Sequence, residues 1–445
     1  MDTACISGEL ARLAHDAAVP GAQLAVHESG ETWTVQLGIE ERGEGRLVTR
    51  ESTIPIGSIS KTFTAALAMV LVSEGDLELD APVTEYLPDL YRAAGDRAGR
   101  LTLRHLLSHT SGLPSDHEQP RATSLRRHVL DCLRELDPLD RPGRAFSYSN
   151  IGYVLAGYLV EAVTGMSWWE AMEVVLLKPL GLNPAFVVGP TPRRHSAAGH
   201  SVNPVLGRVR PVRQSLALVE APAGAIAASA ADLVTLGRLL AGCADTDLID
   251  PAVLAEMRTP ILGAEPFGVA DGWGLGLAMF RDGDQVWYGH DGTAEGTSCH
   301  LRFEPVSGTV VALTTNGSTG IPMWHELVTV LRGMGLRIGD YDGARRVESP
   351  TVPLAEYAGC AGGYRNGEMD YSVHRAGEKL HLTVDGESYG ELVLYENLIF
   401  AVRDLDTGAI DQTGRFIRDS RRGEIGWIQV GGRLARRSDR AREVA

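Results

Sequence analysis

The sequence predicts an α/β protein, in which an α/β sandwich carries an all-helical lobe and is followed by a C-terminal antiparallel β-barrel. Three observations lead there. Strand-like segments stand near residue 30 and again between residues 272 and 315, with helical segments between them, the order of a sheet completed by distant parts of the chain. Beyond Pro350 the pattern changes to short alternating runs separated by glycine turns. At 445 residues the chain exceeds what one hydrophobic core serves, so two domains are expected, placed at 1–345 and 346–445.

The elements follow in order. Residues 8–17 recur at helical period, and 21–27 with 32–38, separated by Glu28-Ser-Gly-Glu31, read as a β-hairpin. The strand-like Thr53-Ile-Pro-Ile56 gives way to an apolar helix reaching Val72. Further helices are expected at 103–108, within 124–136, at 151–164, 168–177 and 230–240. Strands return at 272–280, 286–289, 299–303 and 308–315, and a helix at 324–332 closes the first domain. In the second, runs at 371–374, 379–384, 391–395 and 398–402 alternate, with turns at Asp385-Gly386, Asp406-Thr-Gly408 and Arg422-Gly423. The segment Asp404-Leu-Asp-Thr-Gly408 lacks the later glutamate of a calcium loop and reads as a β-turn.

A formal charge of -15 and a pI near 5.4 argue against nucleic acid or an anionic membrane as partner, and suit small neutral or cationic substrates. No basic start followed by an apolar run is present, and the apolar stretch 65–72 is cut short by Ser73-Glu-Gly-Asp76, so a cytoplasmic protein is expected. Five scattered cysteines without ligand spacing read as reduced and structural; no metal and no cofactor is expected.

Chemistry enters with lysine. Of 42 basic residues only three are lysines, and one of them, Lys61, follows Ser58 by three positions. Arginine stays protonated at any physiological pH, whereas a desolvated lysine gives up its proton. On a helix start the two side chains lie one turn apart, so Lys61 can serve Ser58 as a base while the helix dipole favours the developing alkoxide. The structural alternative is a capping serine beside an unrelated lysine. A second segment, Phe146-Ser-Tyr148-Ser-Asn150, turns into the helix at 151, so that a phenol lowered by a nearby lysine can relay a proton and the Asn150 amide can hold a substrate carbonyl or Lys61. A packed ring and a helix cap are the plainer reading. A third, His290-Asp291-Gly292-Thr293, ends a predicted strand: His290 titrates near neutrality, Gly292 lets a substrate backbone approach, and the Thr293 N–H pairs with that of Ser58 as an oxyanion hole. A hairpin turn is the alternative there.

Taken together, Ser58-x-x-Lys61, Tyr148-x-Asn150 and His290-x-Gly292 resemble the penicillin-recognising serine hydrolases, which include class C β-lactamases, D-alanyl-D-alanine peptidases, family VIII esterases and D-aminopeptidases. Leu106-Leu-Ser-His-Thr-Ser-Gly-Leu-Pro114, Gly75-Asp-Leu-Glu-Leu-Asp-Ala-Pro82 and Ala221-Pro-Ala-Gly-Ala225 share that texture, and the likeness spans residues 5–335. It implies a β-lactamase/transpeptidase-like fold with Ser58 as nucleophile, Lys61 and Tyr148 as general bases, Asn150 as a contact of substrate and lysine, and His290 in the place of the third-motif lysine. His-Asp-Gly instead of Lys-Thr-Gly removes a fixed cation and adds the Asp291 carboxylate, which disfavours β-lactams and free-acid substrates and fits an ester, a thioester or an amine attracted by Asp291.

The length, the absent leader and the small C-terminal β-domain are closest to the penicillin-binding-protein-type thioesterases, whose C-terminal piece is lipocalin-like. The resemblance implies a stand-alone enzyme that takes a nonribosomal peptide from a carrier-protein thioester and closes it head to tail. A D-stereospecific peptidase or amidase, or a carboxylic esterase, would use the same chemistry, and a non-enzymatic binding protein on this scaffold is the third reading. The expected partners are a peptidyl thioester, peptide or ester and a peptidyl carrier protein. Arg433, Arg436 and Arg437 lie on both faces of the last strand, read either as solvated surface cations or as contacts to a substrate carboxylate or a carrier's phosphopantetheine.

Overall fold

The structure, a computed structural model, describes residues 3–117, 122–189, 194–343, 349–405, 408–420 and 423–438. The expected boundary at 345/346 and positions 406, 407 and 422 of the expected turns lie outside these residues.

The opening helix and hairpin are present as α1 (Thr3–Asp16), β1 (Gly21–Glu28) and β2 (Glu31–Gly38). Five later strands, β3 (Gly272–Trp273), β4 (Ala278–Asp282), β5 (Gln285–Ala294), β6 (Thr297–Glu304) and β7 (Thr309–Thr315), complete an antiparallel sheet in the order β2-β1-β7-β6-β5-β4-β3. The first hairpin thus closes onto the last strand of the domain. Seven of eight residues of β1 and every residue of β6 and β7 are buried, so the centre of the sheet is covered on both faces.

Four more helices matter for the site: α2 (Ser60–Glu74), α3 (Asn150–Thr164), α4 (Ala230–Ala241) and α5 (Gly320–Gly333). On one face α1 and α5 pack through Ile6, Leu10, Leu13, Trp324, Leu327 and Leu331. On the other, α2 and α4 join the helical lobe in a single core. Before Glu74 the only charge in α2 is Lys61, and every residue from Ser60 to Leu71 is buried. A helix apolar on all sides must sit centrally, and this one carries the lysine inward. It stops at Gly75, whose φ of 83° is the left-handed C-cap.

The differences from expectation are local. The 272–280 strand is broken into β3 and β4, where Gly274 and Gly276 approach the Met257 carbonyl and Ala65 too closely for side chains. The segment 168–177 begins as an α-helix and finishes as a π-turn, Met172–Leu177. His290 to Thr293 lie within β5, which runs on to Ala294, rather than at a strand end.

The C-terminal region is a closed eight-stranded barrel of β8 (Gly362–Asn366), β9 (Met369–Ala376), β10 (Lys379–Val384), β11 (Glu387–Leu394), β12 (Ile399–Arg403), β13 (Ile410–Arg418), β14 (Ile425–Val430) and β15 (Arg433–Ser438). Its interior is filled by Tyr364, Leu382, Phe400, Phe416 and Ile428. The alternating runs showed β9 to β12 and the last strand. Gly362-Gly-Tyr-Arg-Asn366 and Ile410-Asp-Gln-Thr-Gly414 carry little intrinsic strand preference and extend because closing the barrel pairs them. Among the described residues no helix is long and apolar enough to cross a membrane.

Candidate active site

Ser58 lies in a 3-10 turn, Gly57–Ile59, directly before α2. Gly57 has φ +50° and packs so tightly on β5 that a Cβ there would stand 2.1 Å from the Thr293 carbonyl oxygen. One at Gly292 would stand 2.0 Å from the Ile56 oxygen. These two contacts press β5 against the nucleophile turn. β4 pairs with β5 only as far as Gly289, leaving the edge of 290–294 without a neighbouring strand. The two-residue turn Glu295-Gly296 makes Ala294 and Thr297 the closing pair, so the alternation of the ladder turns the Thr293 N–H to that open edge. It stands beside Ser58, where an oxyanion hole needs a donor.

Lys61 is 1 % exposed, and its Nζ stands 3.1 Å from Ser58 Oγ and 2.8 Å from the Ala223 carbonyl. Burial dominates its titration and lowers it from 10.5 to about 7, with the charge of Asp116 opposing and that of Arg433 assisting. A neutral amine in hydrogen-bond contact with a hydroxyl can accept its proton. The neutral fraction grows as pH rises, so kcat/KM on an ester is expected to climb with a midpoint near pH 7 and then level off. A flat profile between pH 6 and 9 would remove Lys61 from that role.

Tyr148 corrects one expectation. Burial raises the phenol above its ordinary value, and the hydrogen bond with Ser58 offsets this only in part. Lys61, 5.1 Å from the ring centre, does not make it acidic. The tyrosine stays a neutral relay. His290 is corrected in the same direction: burial, then the Lys61 charge, hold it down at about 4, so it is neutral at pH 7. Its Nδ1 faces the Asp291 carbonyl at 2.5 Å, which leaves Nε2 to accept from Tyr148 Oη at 3.4 Å. The four side chains form a chain from Lys61 through Ser58 and Tyr148 to His290.

Asn150 opens α3, capped by Ser149, and its Nδ2 donates to Asp116 at 2.5 Å; the lysine's own partners are Ser58 and Ala223. Asp291 is the larger correction. Its carboxylate accepts from His300 Nδ1 at 2.7 Å and from both Arg302 terminal nitrogens at 2.7 and 3.0 Å. Burial works against its ionisation, but the Arg302 charge and the hydrogen bonds from His300 and Arg302 outweigh that and hold it well below the usual carboxylate range. Arg302 is fully buried, lies 3.5 Å from the Phe280 ring centre and also binds Asp340, which takes hydrogen bonds from Trp324 and His325. The carboxylate, 42 % exposed, thus faces the cleft as one half of an ion pair with Arg302, which weakens its pull on an amine and its repulsion of a carboxylate.

Two chambers meet at Ser58. The first, about 500 Å³, is lined by Lys61, Asn150, Leu216, Glu220 and Thr293. The second, about 580 Å³, is lined by Tyr148, Trp273, His290 and Asp291, and on its far wall by the barrel residues Gln412, Thr413 and Arg433. All eight residues expected from sequence line one chamber or the other.

The barrel also builds the site from behind. Tyr148 N–H donates to the Gly432 carbonyl at 3.0 Å, Leu434 N–H to Ser147 Oγ at 3.2 Å and Gln429 Nε2 to the Phe146 carbonyl at 3.3 Å. Asn366, 1 % exposed, accepts from Ser115 N–H at 2.8 Å and donates to the Leu434 carbonyl at 2.8 Å, while Ser115 Oγ donates to the Tyr148 carbonyl at 2.8 Å. Arg433 reaches over the Tyr148 ring at 5.7 Å, with Asp116 4.0 Å away and its own Nε buried without a partner. It restores a fixed cation to a site whose third motif lacks one. The three C-terminal arginines thus divide: Arg433 enters the cleft, Arg437 holds the Gly359 and Ala361 carbonyls, and Arg436 is exposed. Sequence reasoning did not single out Asp116, Arg302, Asn366 or His109, which sits at φ 56°, stacks on Tyr148 at 4.2 Å and accepts from Ser149 N–H. His109 lay in the noted Leu106–Pro114 segment, and a charged residue in the fully buried β6 marked Arg302.

This fold and this arrangement define a serine hydrolase of the β-lactamase family. The Beta-lactamase family profile matches residues 7–332, and the chain belongs to that family. Penicillin-binding protein 4 of Amycolatopsis lactamdurans is 35 % identical over 326 residues, 71 % of this chain and 85 % of the relative. The crystal structure of SurE is similar through the barrel as well, with a TM-score of 0.87, 38 % identity and 98 % of each chain covered. SurE with D-Leu gives a TM-score of 0.84 over 98 % of this chain and 99 % of that one. A D-stereospecific amidohydrolase from Streptomyces sp. is 27 % identical with a TM-score of 0.61, covering 76 % of this chain and 100 % of that one.

Proposed function

We propose that this protein is a serine acyl-transferase that takes a peptidyl group from a thioester onto Ser58 and releases it by head-to-tail closure, as a stand-alone thioesterase for a nonribosomal peptide. The observation that carries this reading is the second chamber, walled by the barrel and sharing Ser58 and Thr293 with the first. A hydrolase needs room for an acyl group and a water. A cyclase must also seat the far end of the same chain beside the ester carbon.

In this mechanism neutral Lys61 takes the Ser58 proton as Oγ attacks the thioester carbonyl, and the oxyanion rests on the N–H groups of Ser58 and Thr293. The C–S bond breaks and the thiolate leaves with a proton. The peptide's terminal amine then attacks the ester, the C–Oγ bond breaks, and the amine proton returns to Ser58 through Lys61 and Tyr148. Neutral His290 accepts from Tyr148 and fixes its hydroxyl. Arg433 gives the second chamber a fixed charge for the acyl end of the substrate.

The second reading, a D-stereospecific peptidase or amidase, is favoured by the likeness to the D-stereospecific amidohydrolase and by the SurE structure with D-Leu. Linear peptidyl thioesters ending in a D- or an L-residue separate the two. Cyclic product is expected, whereas linear acid alone counts against closure. The bonded contact of Ser58, Lys61 and Tyr148 argues against a binding protein on this scaffold.

A further inference from the structure

Away from the cleft, at the junction of the helical lobe and the barrel, a cavity of about 450 Å³ is lined by Arg97, Arg100, Arg141, Arg144 and Arg436. Its acids are Asp96, Asp140 and Asp419. Asp96 accepts from Tyr91 Oη and Asp140 from the Arg141 N–H. Among the described residues none of Arg100, Arg141, Arg144 and Arg436 has a carboxylate within 4.0 Å, and Arg97, bound to the Leu133 carbonyl, keeps a buried Nε without a partner. Elsewhere on this chain arginines meet acids repeatedly, as in Arg104 with Asp80 and Glu256 or Arg337 with Asp282 and Asp284. In a protein of net charge -15, five arginines around one cavity are a local reversal of sign. Three lining aspartates, and Asp137 acting on Arg97, offset part of this charge, and the excess of cations that remains suits an anionic partner.

The patch adjoins the catalytic segment. Arg144 precedes Tyr148 by four residues, at most about 13 Å of extended chain. Arg436 follows Arg433 by three on β15 and pairs with Trp427 of β14. Leu262, 93 % exposed, precedes Gly263, whose Cβ position lies 3.6 Å from the Gly143 carbonyl. An exposed leucine beside unpaired arginines suits a protein face with an apolar spot inside an acidic rim better than a free small anion.

We propose that this arginine-lined junction docks an acidic carrier protein that brings the acyl group as a thioester, a proposal that rests on the acyl-transfer reading above. The test compares the parent enzyme with the double variant Arg141→Glu/Arg144→Glu, both exposed positions outside the catalytic cleft. One substrate is a peptide loaded on a holo-peptidyl carrier domain of a nonribosomal synthetase; the other is the same peptide as a small soluble thioester. The variant is expected to lose about tenfold or more in kcat/KM on the carrier-bound peptide, and the salt dependence of that rate should flatten. On the soluble thioester it should match the parent within about twofold. Equal losses on both substrates, or a loss on neither, would overturn the docking site. Fluorescence anisotropy of the labelled holo-carrier reads docking without turnover. If neither enzyme turns over the soluble thioester, the acyl-transfer reading fails, while weaker carrier binding by the variant would still support docking. Inorganic phosphate competing as well as the carrier would reduce the patch to a simple anion site and overturn the protein partner.

Discussion

Ser58→Ala is expected to lower turnover by about 10⁶-fold, the size of the loss when a serine nucleophile is removed from an enzyme of this chemistry. The variant should show no mass increase after a fluorophosphonate, where the parent gains one adduct at Ser58. The geometry leaves no substitute nucleophile: among the described residues Cys299 is fully buried against the Pro55 carbonyl, and burial pushes its thiol up to about 12. An adduct surviving in the alanine variant would place the chemistry elsewhere.

Lys61→Arg, which preserves charge, is expected to cost about 10³-fold in kcat/KM, the usual range for a lost general base. Arginine cannot become the neutral acceptor that burial makes of Lys61. Because a guanidinium also crowds a closed site, Lys61→Met serves as a companion variant. It should be equally inactive yet fold, as judged by its melting curve. The sign of the linked pH effect supports this. Native Lys61 titrates near 7 and the unfolded chain near 10.5, so across that window the unfolded state holds more protons and the parent gains stability as pH rises. Methionine removes that dependence, and the difference between the two melting curves should narrow toward high pH. An arginine variant of parental activity would end the assignment of Lys61 as base.

Much of this was legible in the chain. The nucleophile and its base lie three residues apart, one in the 3-10 turn and the other in the first turn of α2 that follows it, so local geometry alone joins them. The clamp on Asp291 was legible in principle: on a strand it faces opposite His290 and Gly292, and its partners His300 and Arg302 are its cross-strand neighbours on β6. The sign of the Tyr148 shift was not, because it depends on how completely the ring is enclosed, and that is set by His109, Trp273 and the barrel rather than by its neighbours in sequence. Arg433 was visible as a cation on a last strand, but whether it faced solvent or the cleft turned on where the barrel docks. Two of the three unexpected barrel strands share that cause: β8 and β13 extend through pairing, not through their own residues, whereas β14 was simply not marked.

The segment carrying Tyr148 is held by partners up to 287 positions further along the chain. During synthesis the nucleophile turn and α2 leave the ribosome long before Gly432 and Leu434. Until then Phe146 to Tyr148 lack the barrel's share of the hydrogen bonds that hold the segment. Arrival of the barrel therefore completes the support of this segment. A polypeptide that stops before the barrel holds the serine and the lysine without these partners for the Tyr148 segment.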